Sequence, residues 1–494
     1  MTVQSTQPQL APKHRSLSPT TRLIGAAAFL LSVVAFMSIA MGLSTNGTVF
    51  LAVAALVGGY MAMNIGANDV ANNVGPAVGA GALTMGAAIV LAAAFEFAGA
   101  MIAGGDVVGT IKSDVINSDM IRDDATFVWL MLAALFAGAV WLNIATFLGA
   151  PVSTTHSIVG GVLGAGIAAG GWQVAHWEKV LTIAASWVIS PVLGGSIAAF
   201  LLFAIMKLII DQKDVLKAAL RYVPVLLAFM TWSFTTYLVL KGLKKIWNVE
   251  FFTASALGML TAALVFLLVR PILARFAKGL TNDRQGINRL FTIPLISAAA
   301  LLSFAHGAND VANAIGPLAA INDVLATGKI SAKSTIPLWI MAIGALGIAV
   351  GLALYGPKLI RTVGSEITHL DKTRAFCVAL AAAVTVVIAS QFGLPVSSTH
   401  IAVGGVFGVG FLREYLEANR VRMLREFSER IKGQDRQAIE AFLVTFRAAA
   451  FADQGSMIKR LKKNGDTNLY LAKKDRKGLG SVYRKELVKR SLIL

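Results

Sequence analysis

The heptapeptide GANDVAN occupies residues 66–72 and recurs, letter for letter, at residues 307–313. Each copy lies inside a long apolar stretch, where a membrane-spanning helix is expected to run. A carboxylate at the centre of such a helix costs about 2.5 to 3.5 kcal/mol on insertion scales. Asp69 and Asp310 are therefore expected to face a wet cavity or a cation.

The composition is that of a membrane protein. Of the 494 residues, 56% are hydrophobic and 14% are charged, and the mean hydropathy is +0.70, which is far above the value of soluble domains. A spanning helix needs about 20 apolar residues. We identify twelve candidate spans, at about residues 23–43, 47–75, 85–104, 127–149, 151–169, 180–208, 222–242, 252–272, 291–317, 336–355, 375–392 and 395–412. The sequence thus predicts an all-α membrane protein with about 12 transmembrane segments.

The formal charge of +18 does not indicate a nucleic-acid partner. The segment from residue 413 onward carries 20 Lys/Arg and 10 Asp/Glu, so it holds +10 of the total. The remainder lies mostly in short loops, as the positive-inside rule expects. Lys13, Arg15 and Arg22 place the N-terminus in the cytoplasm, and alternation of the spans places the basic tail there too. We expect a multi-pass protein of the inner (cytoplasmic) membrane with both termini cytoplasmic.

A second duplicated stretch accompanies the first. PVSTTHSIVGG begins at Pro151 and PVSSTHIAVGG begins at Pro395, 244 residues later, while the motif asparagines Asn68 and Asn309 are 241 residues apart. In the predicted span order, the two copies of each stretch are separated by an odd number of spans and run in opposite directions. Inverted repeats are typical of secondary transporters, whose site lies near the midplane where the repeats meet.

The repeats divide the chain into six predicted segments. These are a cytoplasmic N-terminal tail at 1–22, an additional span at 23–43, a first inverted repeat at 47–208, connecting spans and cytoplasmic loops at 209–290, a second inverted repeat at 291–412 and a basic cytoplasmic tail at 413–494. The final letters, LVKRSLIL, resemble the approach to a further span, so truncation before a last span is one interpretation.

The duplicated PVS(T/S)TH segments bring hydroxyls to a predicted helix or hairpin end at the midplane. Proline favours the first helical turn, and the unpaired N–H groups there bind an oxyanion without a lysine or arginine. Two such ends would clamp one anion with the hydroxyls of Ser153, Thr154, Thr155, Ser397, Ser398 and Thr399. The glycines and prolines of the GANDVAN segments, Gly66, Gly75, Pro76, Gly307, Gly316 and Pro317, are expected to weaken the helix and free carbonyls for an ion.

At these residues the chain resembles the inorganic phosphate transporter (PiT) family of sodium- or proton-coupled symporters, over about residues 66–412. The resemblance implies a symporter that moves inorganic phosphate by alternating access, driven by Na+ or H+, with no covalently bound cofactor and no structural metal. It implies a phosphate site formed by Asn68, Asp69, Ser153, Thr154, Thr155, Asn309, Asp310, Ser397, Ser398 and Thr399. It implies a coupling-ion site formed by Asp69, Asn72, Glu96, Asp310 and Asn313.

The resemblance departs from the family pattern at one acidic position. Glu96, in the stretch FEFAG, matches a glutamate that sodium-coupled members carry. The equivalent place in the second half is expected at Ala379, where some members keep a second glutamate. The choice between Na+ and H+ and the stoichiometry therefore stay open.

Three alternatives are weighed against this interpretation. A sulfate permease of the same fold is disfavoured, because phosphate keeps a proton at neutral pH that Asp69 or Asp310 can accept, and sulfate has none. An uncoupled anion channel is disfavoured because the buried acids imply a counter-cation. A hydrolase is disfavoured because His156 and His400 follow the hydroxyls too closely and no acid is placed to orient them. The partners expected besides phosphate and the ion are the lipid bilayer and, with the oligomeric state left open, further copies of the chain in a homo-oligomer.

Overall fold

The computed structural model describes residues 17–42, 45–212, 214–242, 249–327, 336–367 and 370–429, so most of both predicted tails lies outside the described residues. The α-helices in these ranges are α1 (Pro19–Met41), α2 (Asn46–Gly79), α3 (Met85–Ala103), α4 (Gly105–Gly109), α5 (Asp124–Leu148), α6 (Thr154–Gly170), α7 (Trp177–Ile205), α8 (Val215–Gly242), α9 (Phe251–Ala277), α10 (Arg284–Leu290), α11 (Thr292–Thr327), α12 (Leu338–Arg361), α13 (Lys372–Gln391) and α14 (Ser398–Glu429). Short π-helical turns follow at Thr110–Asp114, Met206–Ile210 and Thr362–Ile367, and 3-10 turns at Ser118–Met120 and Trp172–Val174. The described ranges contain one isolated β-bridge, Ile116 with Ala175, and no strand. The prediction of an all-α protein is confirmed.

Nine helices of the described ranges are long and apolar enough to cross a membrane, or ten if the pair α10 and α11, bent by 41°, is one span. The predicted span at 151–169 corresponds to α6, which has 17 residues. At 1.5 Å per residue this helix is roughly 25 Å long, shorter than a hydrocarbon core of about 30 Å. The number of twelve spans therefore stays a prediction, as does the inverted orientation of the two halves.

The chain forms two compact units. The first comprises residues 1–190, 299–370 and 385–400, and the second comprises residues 191–298, 371–384 and 401–494. Both GANDVAN copies and both PVS(T/S)TH segments belong to the first unit. The candidate site is thus contained within one compact part of the molecule.

Two buried helices, α2 and α11, carry the GANDVAN motifs in the first unit. Residues 61–77 of α2 and 301–321 of α11 are buried without interruption. Both helices continue unbroken through the motifs, so any weakening by the glycines does not end either helix. A Cβ at Gly66 would collide with the backbone of Ile348, and one at Gly307 with the backbone of Glu96. The glycines instead let neighbouring helices approach closely, as small residues do in membrane proteins.

The prolines of the same helices affect the backbone without ending it. Pro76 and Pro317 lie inside α2 and α11. Proline has no N–H, so neither ring can donate the usual helical hydrogen bond to the carbonyl four residues earlier. Those carbonyls belong to Asn72 and Asn313, the last residues of the two motifs. The motif ends are therefore suited to present a backbone oxygen to an ion.

The hydroxyl segments begin helices in the manner of an N-cap rather than with a first-turn proline. The Ser153 side chain accepts a hydrogen bond from the His156 N–H at 3.1 Å, and Ser397 accepts one from His400 at 3.2 Å. The helices α6 and α14 begin one residue after these serines, as capping predicts. Pro151 and Pro395 lie before the caps, outside the helices, so their predicted position was wrong.

The segment at residues 105–126, between α3 and α5, is partly folded into the first unit. It contains α4 and a π-helical turn, and Lys112 in that turn is 2% exposed. Lys112 forms an ion pair with Asp323 near the end of α11. A buried ion pair is costly to break because the remaining charge is left without a partner. This contact fixes the segment that follows α3 against α11.

The second unit holds α8, α9 and α10 with parts of α7, α11, α13 and α14. The backbones of α7 and α14 approach closely, because a Cβ at Gly404 would collide with Pro191 and one at Gly408 with Gly195. The start of α13 is attached to the α10 segment, since the Lys372 N–H donates to Asn288 Oδ1 at 2.7 Å. Lys372 Nζ also donates to Thr292 Oγ1 at 2.8 Å.

Candidate functional site: a buried carboxylate cluster

Three carboxylates of the first unit surround one histidine. His306 Nε2 lies 3.1 Å from Asp310 Oδ2 and 3.7 Å from Asp69 Oδ2, and its Nδ1 lies 3.2 Å from Glu96 Oε2. All four side chains are at most 1% exposed. Neither ring nitrogen is aligned for a hydrogen bond, so the contacts act through charge rather than through directed hydrogen bonding. The two motif aspartates, which are 241 residues apart, are thus brought to the same imidazole ring.

The formal charges of this cluster do not cancel. Three carboxylates face one imidazole, so even a charged imidazolium leaves two negative charges in excess. Buried charges in proteins are normally paired or coordinate a cation. The cluster therefore has the electrostatic character of a cation site.

The ligand atoms of Asp69, His306 and Asp310 lie within 4.8 Å of one another. Alkali ions prefer oxygen ligands, whereas imidazole suits transition metals. The oxygens suited to an alkali ion are those of the aspartates, including Asp310 Oδ1, which is buried and has no hydrogen-bond partner in the described ranges.

Three threonine hydroxyls of the PVS(T/S)TH segments contact the aspartates or cross to the opposite segment. Thr154 Oγ1 lies 2.8 Å from Asp69 Oδ2 and 3.3 Å from Asp310 Oδ2. Thr399 Oγ1 lies 3.2 Å from Asp69 Oδ1, and Thr155 donates to the Val396 carbonyl at 2.9 Å. The two hydroxyl segments therefore meet, and each threonine already has a partner for its proton.

The first asparagine of each motif fixes the loop before the hydroxyl helix. Asn68 Nδ2 donates to Thr146 Oγ1 and to the Ala150 carbonyl, both at 3.1 Å, and its Oδ1 accepts from the Val152 N–H at 3.1 Å. Asn309 repeats this pattern, with Nδ2 at 2.8 Å from Ser390 Oγ and 3.2 Å from the Leu394 carbonyl and with Oδ1 at 3.3 Å from the Val396 nitrogen. Both ends of each amide are occupied, so these asparagines position the segment rather than offer a free group.

The last asparagine of each motif connects to the opposite half. Asn72 Nδ2 donates to Thr399 Oγ1 at 2.8 Å. Asn313 Nδ2 lies 3.2 Å from Thr154 Oγ1 and 3.1 Å from Thr155 Oγ1. Each motif therefore holds its own half's loop through the first asparagine and the other half's hydroxyls through the last.

Ser398 differs from the other hydroxyl residues. Ser153 and Ser397 act as N-caps and the three threonines are hydrogen bonded, whereas Ser398 Oγ is buried and has no partner within the described ranges. Ser398 is 3% exposed. Burial of a hydroxyl without a hydrogen-bond partner costs free energy. This cost indicates that a ligand supplies the partner of Ser398.

All the candidate residues predicted from the sequence are brought together in the first unit. None is more than 8% exposed. Glu96 joins them through α3, since Asn73 Nδ2 donates to Glu96 Oε1 at 2.8 Å. The site is closed to solvent in this conformation.

The two halves differ in the residues that surround the imidazole. Close approaches pair Gly307 with Glu96 and Gly66 with Ile348, so Ile348 on α12 is the counterpart of Glu96. A second pair of approaches, Gly99 with Phe304 and Gly351 with Met63, follows the same alignment. The expectation that Ala379 is the counterpart was wrong, because Ala379 lies on α13.

By the same alignment of the motifs, His306 corresponds to Ile65 and Asn73 to Ala314. The polar group Asn73, Glu96 and His306, here called the polar triad, therefore has three apolar counterparts. Sequence reasoning missed His306 and Asn73. The available signal was a histidine directly before one motif copy and an isoleucine before the other, because a single ionisable residue in a span is functional by default.

Comparison with known sequences identifies the family of the chain. The sequence profile of the phosphate transporter family matches residues 65–450, which include both motif pairs. A protein of Helicobacter pylori (strain J99) with the provisional name of phosphate permease is 50% identical over 488 residues, which cover 97% of this chain and 92% of the relative. A Pyrococcus furiosus protein with the same provisional name is 40% identical over 370 residues, or 75% of this chain and 89% of the relative.

Comparison with solved structures gives the same result. A solved structure described as the sodium-dependent phosphate transporter superposes with a TM-score of 0.71 at 37% sequence identity, covering 74% of this chain and 90% of that one. These relatives are transporters and permeases, so the interpretation as a transport protein rather than an enzyme is confirmed. The chain described here is a multi-pass membrane protein that belongs to the phosphate transporter family.

Proposed function

We propose that this protein is a symporter that moves inorganic phosphate together with a cation across the cytoplasmic membrane by alternating access. Family membership and the permease relatives support phosphate as the substrate. The similarity to a sodium-dependent phosphate transporter supports Na+ as the coupling ion over H+. The basic residues near both ends of the chain support cytoplasmic termini.

The excess negative charge of the carboxylate cluster is the main observation that supports coupling to a cation. Phosphate is an anion, and Asp69 and Asp310 both contact the hydroxyl segments that are proposed to receive it. An anion entering beside uncompensated carboxylates is repelled, unless a cation enters with it. Phosphate binding and cation binding are thereby made mutually dependent.

The hydroxyl segments supply the phosphate site in this proposal. The first turns of α6 and α14 have unpaired N–H groups and a partial positive charge, which suit an oxyanion. Ser398 Oγ offers a hydroxyl without a partner and Asp310 Oδ1 offers an acceptor without one, among the described residues. A phosphate that retains a proton can use both, because it accepts from the serine and donates to the carboxylate.

The burial of the site supports alternating access. Asp69, Asp310 and Ser398 are between 1% and 3% exposed, so phosphate cannot reach them without a rearrangement. Motion of one repeat against the other around a fixed site is the usual solution in transporters built from repeats.

Substrate competition tests the choice of anion. Uptake of labelled phosphate into proteoliposomes is expected to be blocked by excess unlabelled phosphate or arsenate and to be little affected by equal sulfate. A site that includes an acceptor for the substrate's proton rejects an anion without one, by about 10⁴-fold in favourable cases. Equal competition by sulfate would favour the sulfate permease. Separate sodium and pH gradients in the same vesicles distinguish Na+ from H+ coupling, and uptake indifferent to both would favour the uncoupled channel.

Ser398→Ala is expected to weaken phosphate binding without weakening the fold. The substitution removes one hydrogen bond to a charged ligand, a loss of about 1.5 to 3 kcal/mol of binding free energy. The dissociation constant for phosphate should therefore increase roughly 10- to 150-fold. The melting temperature should not fall, because Ser398 Oγ makes no hydrogen bond with the described residues.

Ser397→Ala provides the matched control. Ser397 Oγ caps α14 by accepting from the His400 N–H, so its removal should lower stability by about 1 kcal/mol. The phosphate dissociation constant and the melting curve of each variant, measured side by side, distinguish a residue that binds phosphate from one that caps the helix. An unchanged dissociation constant for phosphate in Ser398→Ala contradicts the proposed hydrogen bond between Ser398 and phosphate.

A further inference from the structure

The second unit contains a cavity that is separate in sequence from every motif discussed above. Its volume is about 270 Å³. The apolar residues that line it, here called the apolar wall, are Leu202, Met206, Ile210, Ile287 and Leu416. The charged residues that line it, here called the charged wall, are Arg284, Asp371, Arg374, Arg413 and Glu417. A cavity that combines these two walls suits an amphipathic ligand.

The charged wall has a net positive charge. Arg284 and Arg374 both pair with Asp371 Oδ2, at 3.0 Å and 3.2 Å respectively. Arg413 is exposed and forms no hydrogen bond or ion pair with another described residue. Three arginines face two acids, so the wall has a formal charge of +1. Arginine is suited to a phosphate because its planar guanidinium can donate two parallel hydrogen bonds.

The cavity lies where apolar spans end. The span Trp177–Ile210 finishes at Ile210 and the span Lys372–Gln391 begins beside Arg374, and residues of both line the cavity. A boundary between apolar and charged residues at the ends of two spans is where the headgroups of a bilayer lie. Basic pockets between spans at this depth bind anionic headgroups.

We propose that this cavity binds an anionic phospholipid, with the headgroup phosphate on Arg413, Arg374 and Arg284 and the start of an acyl chain along Leu202, Met206 and Ile210. A free phosphate ion shares the headgroup chemistry. The apolar wall decides for the lipid, because a phosphate ion gains nothing from apolar side chains while an acyl chain is stabilised by them.

The test uses the full chain, purified in detergent and depleted of lipid. Native mass spectrometry and thermal melting are measured with dioleoylphosphatidylglycerol, with dioleoylphosphatidylcholine and with inorganic phosphate as separate additions. The anionic lipid is expected to remain bound and to raise the melting temperature, and the zwitterionic lipid is not. Arg413→Gln combined with Arg374→Gln should weaken retention of the anionic lipid by about tenfold or more.

Two controls make the result specific. Arg275→Gln removes an exposed arginine of α9 that does not line the cavity, and it should leave lipid retention unchanged. Arg413→Gln alone should fold normally, because Arg413 forms no ion pair with the described residues, and should still weaken retention.

Three outcomes overturn the proposal. Equal loss of lipid in Arg275→Gln assigns binding to general surface charge. Competition by inorganic phosphate at equal concentration assigns the site to the free anion. Equal retention of both lipids in wild type and variants removes any role for the arginines.

Discussion

Asp69→Asn and Asp310→Asn are each expected to reduce concentrative phosphate uptake to the background of empty vesicles. Each substitution keeps the shape of the side chain and removes one of the three negative charges around His306. The excess charge that is proposed to hold the cation falls, so the cation and phosphate no longer bind together. The measurement is uptake of labelled phosphate into proteoliposomes under an inward sodium gradient.

The fold should survive both substitutions. Thr154 can still donate to the amide oxygen at residue 69, and a buried carboxylate that becomes neutral is easier to accommodate. Melting curves check this point. Asp124→Asn, at the exposed start of α5, is the matched control and should transport normally. Concentrative uptake near the wild-type level in both Asp69→Asn and Asp310→Asn is the result that would exclude the aspartates from coupling.

The features that depend on local sequence were predictable from the letters alone. The two GANDVAN copies and the two PVS(T/S)TH copies recur at nearly the same offset, and that regularity is sufficient to assign both pairs to one site. The aspartates and hydroxyls do meet, at 2.8 Å between Thr154 and Asp69. The helical class follows from apolar stretches of spanning length.

The features that depend on packing were not predictable in this way. Glycine inside a helix normally weakens it, yet Gly66 and Gly307 lie in unbroken helices because neighbouring backbones pack against them. The counterpart of Glu96 was misassigned to Ala379 because the sequence does not show which apolar stretch of the second half corresponds to the stretch that contains Glu96. Ile348 is identified only by the contacts between helices.

The role of His306 also depends on which residues the fold brings next to it. In the sequence it is one histidine before a motif, and its three carboxylate neighbours are distributed over three helices. The sequence marks such a histidine as a candidate functional residue, but it does not show that Asp69 and Glu96 approach the ring from other helices. The difference between the halves becomes evident when the polar triad is compared with Ile65, Ala314 and Ile348.

His306→Leu is expected to damage both stability and transport. The substitution leaves Glu96, Asp69 and Asp310 buried together without the imidazole between them. Removing one partner from a buried charged group typically costs about 3 to 5 kcal/mol. Thermal melting in detergent should show a clear decrease, and uptake should be lost. This single variant does not separate a structural role from a transport role, because both predict the same losses.

The triple variant Asn73→Ala, Glu96→Ile and His306→Ile separates them. It gives each position of the polar triad the residue that its counterpart in the other half carries. The triple variant leaves two buried carboxylates where His306→Leu leaves three. One uncompensated buried charge fewer should restore part of the melting temperature lost in His306→Leu. The aspartates Asp69 and Asp310 still supply two negative charges, but the Glu96 carboxylate is absent, so concentrative uptake should stay at background if Glu96 helps to hold the cation. A stable triple variant that transports like the wild type would mean that the polar triad serves packing alone, and that Asp69 and Asp310 suffice for coupling.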